Sequence, residues 1–231
     1  MKLLIVLSST AQVPASDRKT GTWFEELAAP YFAFTDAGAK VTLASVQGGP
    51  APIDPWSEGS DAQTDATRRF SADANARKAL ATTVKLASLR ADDFDAVFYP
   101  GGLGPVFDLT NDPASIALIE AMRRANKPVA AVCHGLAALR LAHTPDGSPV
   151  VQGRAVAGFS DSEERASHGD GLVPFMIESE LRRLGGRYTS AADWQPHVVV
   201  DGRLITGQNP ASSLGAAQEV LRALAAKAAP A

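Results

Sequence analysis

The strongest chemical signal in the chain is the run Val129-Ala130-Ala131-Val132-Cys133-His134-Gly135-Leu136-Ala137-Ala138-Leu139. An apolar stretch ends at the single cysteine, a histidine comes at once after it, and small and apolar residues continue beyond. Two residues to either side of Cys133 stand Ala131 and Gly135, both small. This is the spacing of a nucleophile elbow with Cys in place of Ser. A strand there turns sharply into a helix, and the strained turn leaves no room for large neighbours. Such a turn sets the sulfur at a helix N-terminus, where the dipole favours thiolate over thiol. That help matters for a group with a free pKa of about 8.5. A lone buried cysteine can instead be a small hydrophobe. Polar His134 argues for chemistry, because it stands at the C-terminal end of a strand, where open α/β sheets keep their ligand crevice.

Three further groups are candidates. Tyr99-Pro100-Gly101-Gly102-Leu103-Gly104 also comes after an apolar run, and glycine there lets a backbone N–H approach a ligand. Beside the elbow, the N–H groups of Gly102 and His134 would make an oxyanion hole. On a helical wheel Glu26 flanks the stripe of Trp23, Leu27 and Phe34, while Glu25 faces away. Glu26 is then a carboxylate at the edge of a buried face, able to hydrogen-bond a thiolate or pass a proton if burial raises its pKa. It can equally be a solvated edge residue. Phe159-Ser160-Asp161-Ser162-Glu163-Glu164 offers an acid to orient His134, but periodicity does not choose among Asp161, Glu163 and Glu164, and an acidic surface loop is the default. No metal is expected, because His134, His143, His168 and His197 lack ligand spacing. No cofactor is expected either: the glycine run lacks the third glycine of a dinucleotide fingerprint.

The elements that must position these groups alternate. Strand-like runs fall at 3–7, 41–46, 96–99, 129–132, 155–159, 197–200 and 204–206. Several are continuously apolar, as parallel strands covered on both faces are. Helical patterns lie between them, which predicts a doubly wound α/β domain with a mostly parallel sheet. Thr22 with Glu25 forms a capping-box pattern, Asp112-Pro113 an N-cap and first turn. Pro174 opens a helix closed by Gly185-Gly186. Asn209-Pro210 opens the last helix, whose Ala-rich tail should fray. Asp201-Gly202 marks a hairpin and so an antiparallel edge. Residues 48–90 hold three prolines before residue 56, then one helix around 74–82. They read as an insertion in a single domain spanning 1–231.

Composition bounds the partners. The chain has 231 residues, 45% hydrophobic and 20% charged, with net charge −3. A globule of this length buries roughly 70–75% of its unfolded surface. The mild negative charge speaks against nucleic acid. One cysteine forms no internal disulfide and fits a reducing compartment. The run Leu3–Leu7 after Lys2 is too short for a signal peptide or a membrane span, so a cytoplasmic location and no membrane partner are expected.

These residues resemble the ThiJ/PfpI superfamily within the class I glutamine amidotransferase-like fold, a flavodoxin-like arrangement, and most closely its heat-shock chaperone and glyoxalase III branch. The resemblance runs in order along nearly the whole chain: Lys19-Thr20-Gly21 with Glu26 and Pro30, Asp95-Ala96 with Pro100-Gly101-Gly102, Ala130 to Gly135, Gly158-Phe159-Ser160-Asp161 with Glu164, and Asp201 to Ser212. It implies Cys133 as nucleophile, His134 as its histidine, Glu164 as the acid partner of that histidine, and Glu26 as the acid near the sulfur. Trp194 and His197 fall in a segment that lines the pocket in this branch. Many relatives carry histidine where Leu103 stands, so a more apolar pocket is implied. The His-Pro-Glu segment of glutamine amidotransferases is replaced by Gly207-Gln208-Asn209-Pro210, so glutamine hydrolysis is not expected.

The implied activity is a glutathione-independent, cysteine-dependent glyoxalase, a lyase acting on a small 2-oxoaldehyde such as methylglyoxal or glyoxal, in a homodimer. The alternatives are a stress-induced holdase that binds unfolded proteins, a deglycase of the same superfamily, a redox sensor at Cys133 and, more weakly, a peptidase.

Overall fold

A computed structural model describes residues 1–228. In chain order the strands are β1 (Lys2–Leu7), β2 (Lys40–Ser45), β3 (Val84–Lys85), β4 (Ala96–Tyr99), β5 (Val129–Val132), β6 (Ala155–Val156), β7 (Arg187–Tyr188), β8 (Val198–Asp201) and β9 (Leu204–Gly207). The helices are α1 (Phe24–Asp36), α2 (Asp65–Ala72), α3 (Ala74–Ala81), α4 (Gly104–Phe107), α5 (Pro113–Arg124), α6 (Asp161–Ala166), α7 (Ile177–Arg183) and α8 (Ser213–Ala228). Seven strands form one sheet in the order β3-β2-β1-β4-β5-β9-β8, parallel except for the β8–β9 pair. The expected α/β class and the antiparallel edge are both present. The fraying expected for the Ala-rich tail lies partly outside the described residues.

The continuous apolar runs have their reason in two cores. Leu4, Val6, Val97, Tyr99, Val129 and Ala131 face one side with Ile119 and Met122 of α5. Leu3, Ile5, Leu7, Phe98, Ala130 and Val132 face the other with Leu27 and Phe34 of α1 and Val220 of α8. Alternate residues of one strand thus enter different cores, so β1, β4 and β5 keep an apolar side chain at every core position. Strand order reverses between β1 and β4. The crevice of such a sheet lies beyond the C-terminal strand ends at that reversal, where β4 and β5 deliver Pro100 to Gly104 and Cys133.

Several local expectations give way to tertiary contacts. The Thr22–Glu25 capping box does not form. Helix α1 starts at Phe24 with no side-chain cap from Trp23. Its early donors go elsewhere: Trp23 N–H to the Gly101 carbonyl at 3.0 Å and Phe24 N–H to Ser57 Oγ at 3.0 Å. Glu25 instead accepts from the Thr64 hydroxyl. The run 155–159 contributes only β6, which pairs with β7 in a separate two-stranded sheet. Residues 48–90 hold two helices, and β3 adds an edge to the main sheet. The unforeseen α2 is started by a box of two threonines, Thr64 and Thr67, rather than the usual Ser/Thr-x-x-Glu.

Candidate active site

Cys133 sits where β5 ends, with φ of 55°. That left-handed conformation is costly for a residue with a Cβ, of order 1–3 kcal/mol, and marks a position held by its surroundings. The elbow is therefore present. The close approach that demands a small residue after it is visible at Gly135, where a Cβ would lie 2.3 Å from the Tyr99 carbonyl oxygen. The chain continues from the cysteine as a seven-residue 3-10 helix, Cys133–Leu139.

Cys133 Sγ lies 3.3 Å from His134 Nδ1, and His134 Nε2 lies 2.7 Å from Glu164 Oε2. Glu164 as acceptor places the ring proton on Nε2 and leaves the Nδ1 lone pair facing sulfur. The imidazole is packed against Phe159, with ring centroids 4.5 Å apart. All three polar groups are buried.

Glu26 is fully buried, settling the choice between buried and solvated edge. Its Oε2 accepts from Gly101 N–H at 2.6 Å, while Oε1 has no hydrogen-bond partner among the described residues. Burial pushes its pKa up to about 8, against the pull of Gly101 N–H and of the Cys133 thiol. At neutral pH Glu26 therefore favours its protonated form.

The expectation that a helix dipole makes Cys133 a thiolate is reversed. Burial pushes the thiol well up, and the charge of an ionised Glu26 would push it further, while the His134 backbone N–H pulls it down. A helix terminus contributes typically 0.3–1 kcal/mol when exposed, whereas burying an unpaired charge costs several kcal/mol. Burial outweighs the dipole and holds the thiol above its usual range.

Among Asp161, Glu163 and Glu164 the structure separates the roles. The segment is helical, not a loop, and Ser160 caps α6 reciprocally with Glu163. Glu163 is spent on structure: Oε2 accepts from Ser160, and Oε1 from Trp194 N–H at 2.7 Å and Asn209 Nδ2 at 2.8 Å. Asp161 accepts from Ser179. Of the three, only Glu164 reaches His134. The Ser160-x-x-Glu163 capping-box spacing was the available signal for this division.

A cavity of about 160 Å³ opens on the elbow. Gly102, Leu103, Cys133, His134 and Trp194 line it, as expected, with Phe159. Gly102 has φ of 88°. Its N–H finds no backbone carbonyl among the described residues, which leaves it free for a ligand. His197 is not in the lining. It precedes β8, and its Nε2 pairs with Thr189 Oγ1 at 2.9 Å. Sequence reasoning missed Arg18, Trp23, Asp54, Trp56, Ser167 and Pro210, also in the lining. Arg18, Asp54 and Ser167 lie outside any regular element, Trp56 and Pro210 lie in short 3-10 turns and Trp23 stands at the N-cap of α1, so no single period joins them.

Gly169 provides a test of the relay. A Cβ there would stand 1.9 Å from Glu164 Oε1. Gly169→Ala is expected to displace the carboxylate and lower kcat roughly tenfold to a hundredfold, with KM little changed, since small misplacements of catalytic groups cost about that much. Steady-state kinetics and a thermal melt check it. Unaltered kcat in a folded variant would mean that the Glu164 position is not critical.

Comparison with known proteins fits this geometry. The model of the DJ-1/PfpI family matches residues 21–223. The chain belongs to the DJ-1/PfpI family. Among its relatives, the Saccharomyces cerevisiae protein named glutathione-independent glyoxalase HSP31 is 29% identical, over 96% of this chain and 98% of the relative. The structure of glyoxalase III from Candida albicans superposes with a TM-score of 0.87 at 28% identity, covering 96% of this chain and 97% of that one. The Francisella tularensis Rapid Encystment Protein 24 KDa gives a TM-score of 0.92 at 31% identity, covering 96% and 98%. No described helix of this DJ-1/PfpI chain is long and apolar enough to cross a membrane.

Proposed function

We propose that this DJ-1/PfpI chain is a glutathione-independent glyoxalase that converts methylglyoxal or glyoxal to lactate or glycolate with Cys133 as nucleophile. The observation that carries the reading is the Cys133–His134–Glu164 relay on the wall of a small, largely apolar cavity. The names of the yeast and Candida relatives support it.

Each residue has a separate task. His134 Nδ1 takes the thiol proton as sulfur adds to the aldehyde carbon, forming a hemithioacetal. The Gly102 and His134 N–H groups face the new oxyanion. His134 hands the thiol proton on to that oxyanion and, neutral again, removes the proton from the former aldehyde carbon and passes it to the neighbouring carbonyl oxygen, giving an enediol, with Glu164 holding the ring. Return of a proton to the neighbouring carbon leaves a 2-hydroxyacyl thioester. Glu26, protonated at neutral pH, is placed beside the sulfur to steady its charge. Water then cleaves the thioester, releasing the hydroxy acid and restoring the thiol. Atoms balance as aldehyde plus one water, with the oxidation of one carbon matched by reduction of the next.

The reading favours chemistry on a small molecule over a peptidase, because a buried nucleophile in a cavity of about 160 Å³ does not admit a chain. It ranks above a redox sensor, because oxidation tracks thiolate character and exposure, and Cys133 has little of either. The test is to incubate purified protein with methylglyoxal in the absence of glutathione and measure lactate. Lactate is expected in proportion to enzyme. Its absence from protein that still suppresses aggregation of an unfolded client would replace this reading with the holdase. The homodimer and the cytoplasmic location stay part of the proposal.

A further inference from the structure

Among the described residues, Arg18 is the only cationic side chain of Lys or Arg type in the lining of the Cys133 cavity. Its guanidinium carbon stacks over the Trp56 ring at 3.9 Å from the centroid. Its Nε is buried and has no hydrogen-bond partner among the described residues. No ion pair among them includes it either. A buried donor left unmade costs roughly 1–3 kcal/mol, and no side-chain hydrogen bond of Arg18 is found among the described residues, so the guanidinium is held by stacking on Trp56 and keeps its Nη groups without a protein acceptor.

The shelf that carries it is built rather than loose. Asp54 is buried, and its two carboxylate oxygens are both engaged, one by Trp56 N–H at 3.0 Å and the other by the Thr20 hydroxyl at 3.0 Å. Asp54 therefore ties the loop of Arg18 to the loop of Trp56, and its oxygens are already committed to those donors. Arg18 and Trp56 also wall a second groove, on the outside, together with Lys19 and His168. The guanidinium thus stands between the reaction cavity and the outer surface.

We infer that Arg18, held on Trp56, is a carboxylate subsite that retains the hydroxy-acid product. The inference rests on the glyoxalase reading for the identity of the anion. The substrate of that reaction is uncharged and its product is a carboxylate, so the only ligand of the cycle that a guanidinium distinguishes is the product. The planar fork of an arginine matches a carboxylate with two parallel hydrogen bonds, and stacking on an aromatic face fixes its plane. A cavity of about 160 Å³ lined by both Cys133 and Arg18 lets one small molecule touch both the elbow and its rim. The consequence is product inhibition set by Arg18, and exit through the outer groove.

The experiment titrates sodium lactate and sodium glycolate against the wild-type chain, Arg18→Met, Arg18→Lys and the surface control Arg68→Met, by calorimetry without substrate and by inhibition of methylglyoxal turnover. Lactamide, uncharged and of the same size, serves as the neutral probe. Competitive inhibition by lactate is expected, weakened at least tenfold in Arg18→Met, less in Arg18→Lys, and unchanged in Arg68→Met, with lactamide a poor ligand throughout. Equal binding of lactate and lactamide, or equal lactate affinity in wild type and a folded Arg18→Met, overturns the inference even where turnover is normal. Arg18-dependent lactate binding in a protein that makes no lactate upholds the subsite and removes the glyoxalase reading instead.

Discussion

Cys133→Ser is expected to lower kcat/KM for methylglyoxal at least about a thousandfold, equivalent to roughly 4 kcal/mol of transition-state stabilisation, with the fold intact. The substitution keeps the elbow, whose φ of 55° is fixed by β5 and the glycine packing behind it. It replaces a thiol by a hydroxyl with a far weaker tendency to ionise, in a site that already disfavours charge through burial. His134 Nδ1 at 3.3 Å accepts a thiol proton on attack, but the same imidazole is a poor match for an alcohol without further help. Glu164→Gln is expected to cost less, about a hundredfold, because it removes tautomer control from His134 while leaving nucleophile and base in place. Initial rates with both variants, alongside thermal melts, decide the matter. A serine variant retaining a tenth of wild-type activity would rule out a covalent cysteine mechanism.

Glu26→Gln is expected to make the protein more stable, by about 3 kcal/mol at pH 7, with a gap that depends on pH. The folded-state pKa is about 8 against an ordinary 4.5. Below about 4.5 the carboxyl is protonated folded or unfolded and costs nothing extra. Between these values the folded protein keeps a proton that the unfolded chain releases, so stability falls as pH rises. Above about 8 the full penalty is present and constant. At pH 7 the accumulated penalty spans about 2.5 pH units at roughly 1.4 kcal/mol each. Glutamine imitates the protonated acid: its oxygen accepts from Gly101 N–H in place of Oε2. Melting temperatures of the two proteins should coincide near pH 4.5 and separate by several degrees at pH 8. Wild-type turnover should also decline above pH 8, as the ionised carboxylate next to Cys133 opposes the thiolate. A gap that stays constant from pH 5 to pH 8 would show that Glu26 is not a protonated, buried acid.

Such a penalty, retained in the middle of a core, fits a family site rather than a stability device. Glu26 lies among Phe24, Leu27, Ala28 and Ala29 on a helix that would fold better with an apolar residue there. Its partners, Gly101 N–H and the thiol, both belong to other parts of the chain.

How much of the fold and the site was legible in the sequence depends on the distance over which each interaction acts. The strands β1, β4 and β5 are readable because burial on both faces of a parallel sheet forces an unbroken apolar run, and β2 and β9 because their mostly apolar runs are broken only by Thr42, Ser45 and Thr206. The elbow is readable because its steric demands fall on residues two away, and the Asp112 cap because its 2.7 Å bond to Ser115 N–H spans three residues. The pairing of His134 with Glu164 crosses 30 residues, and that of Glu26 with Gly101 crosses 75. Neither is encoded in local spacing, and the family resemblance alone pointed to these acids. The start of α1 was misread because its caps come from Ser57 and Gly101, far along the chain.

The sequence by itself determined the alternation of buried strands and helices, the sharp turn at Cys133 and the presence of a free thiol beside an imidazole. Only the tertiary structure decided which acid reaches that imidazole, that Glu26 is sealed with its pKa raised, that burial pushes the Cys133 thiol up, and that Arg18 lines the same cavity. The division has one physical cause: backbone geometry and side-alternation are set by neighbours in the chain, whereas solvation and charge depend on everything folded around a group, wherever in the chain it comes from.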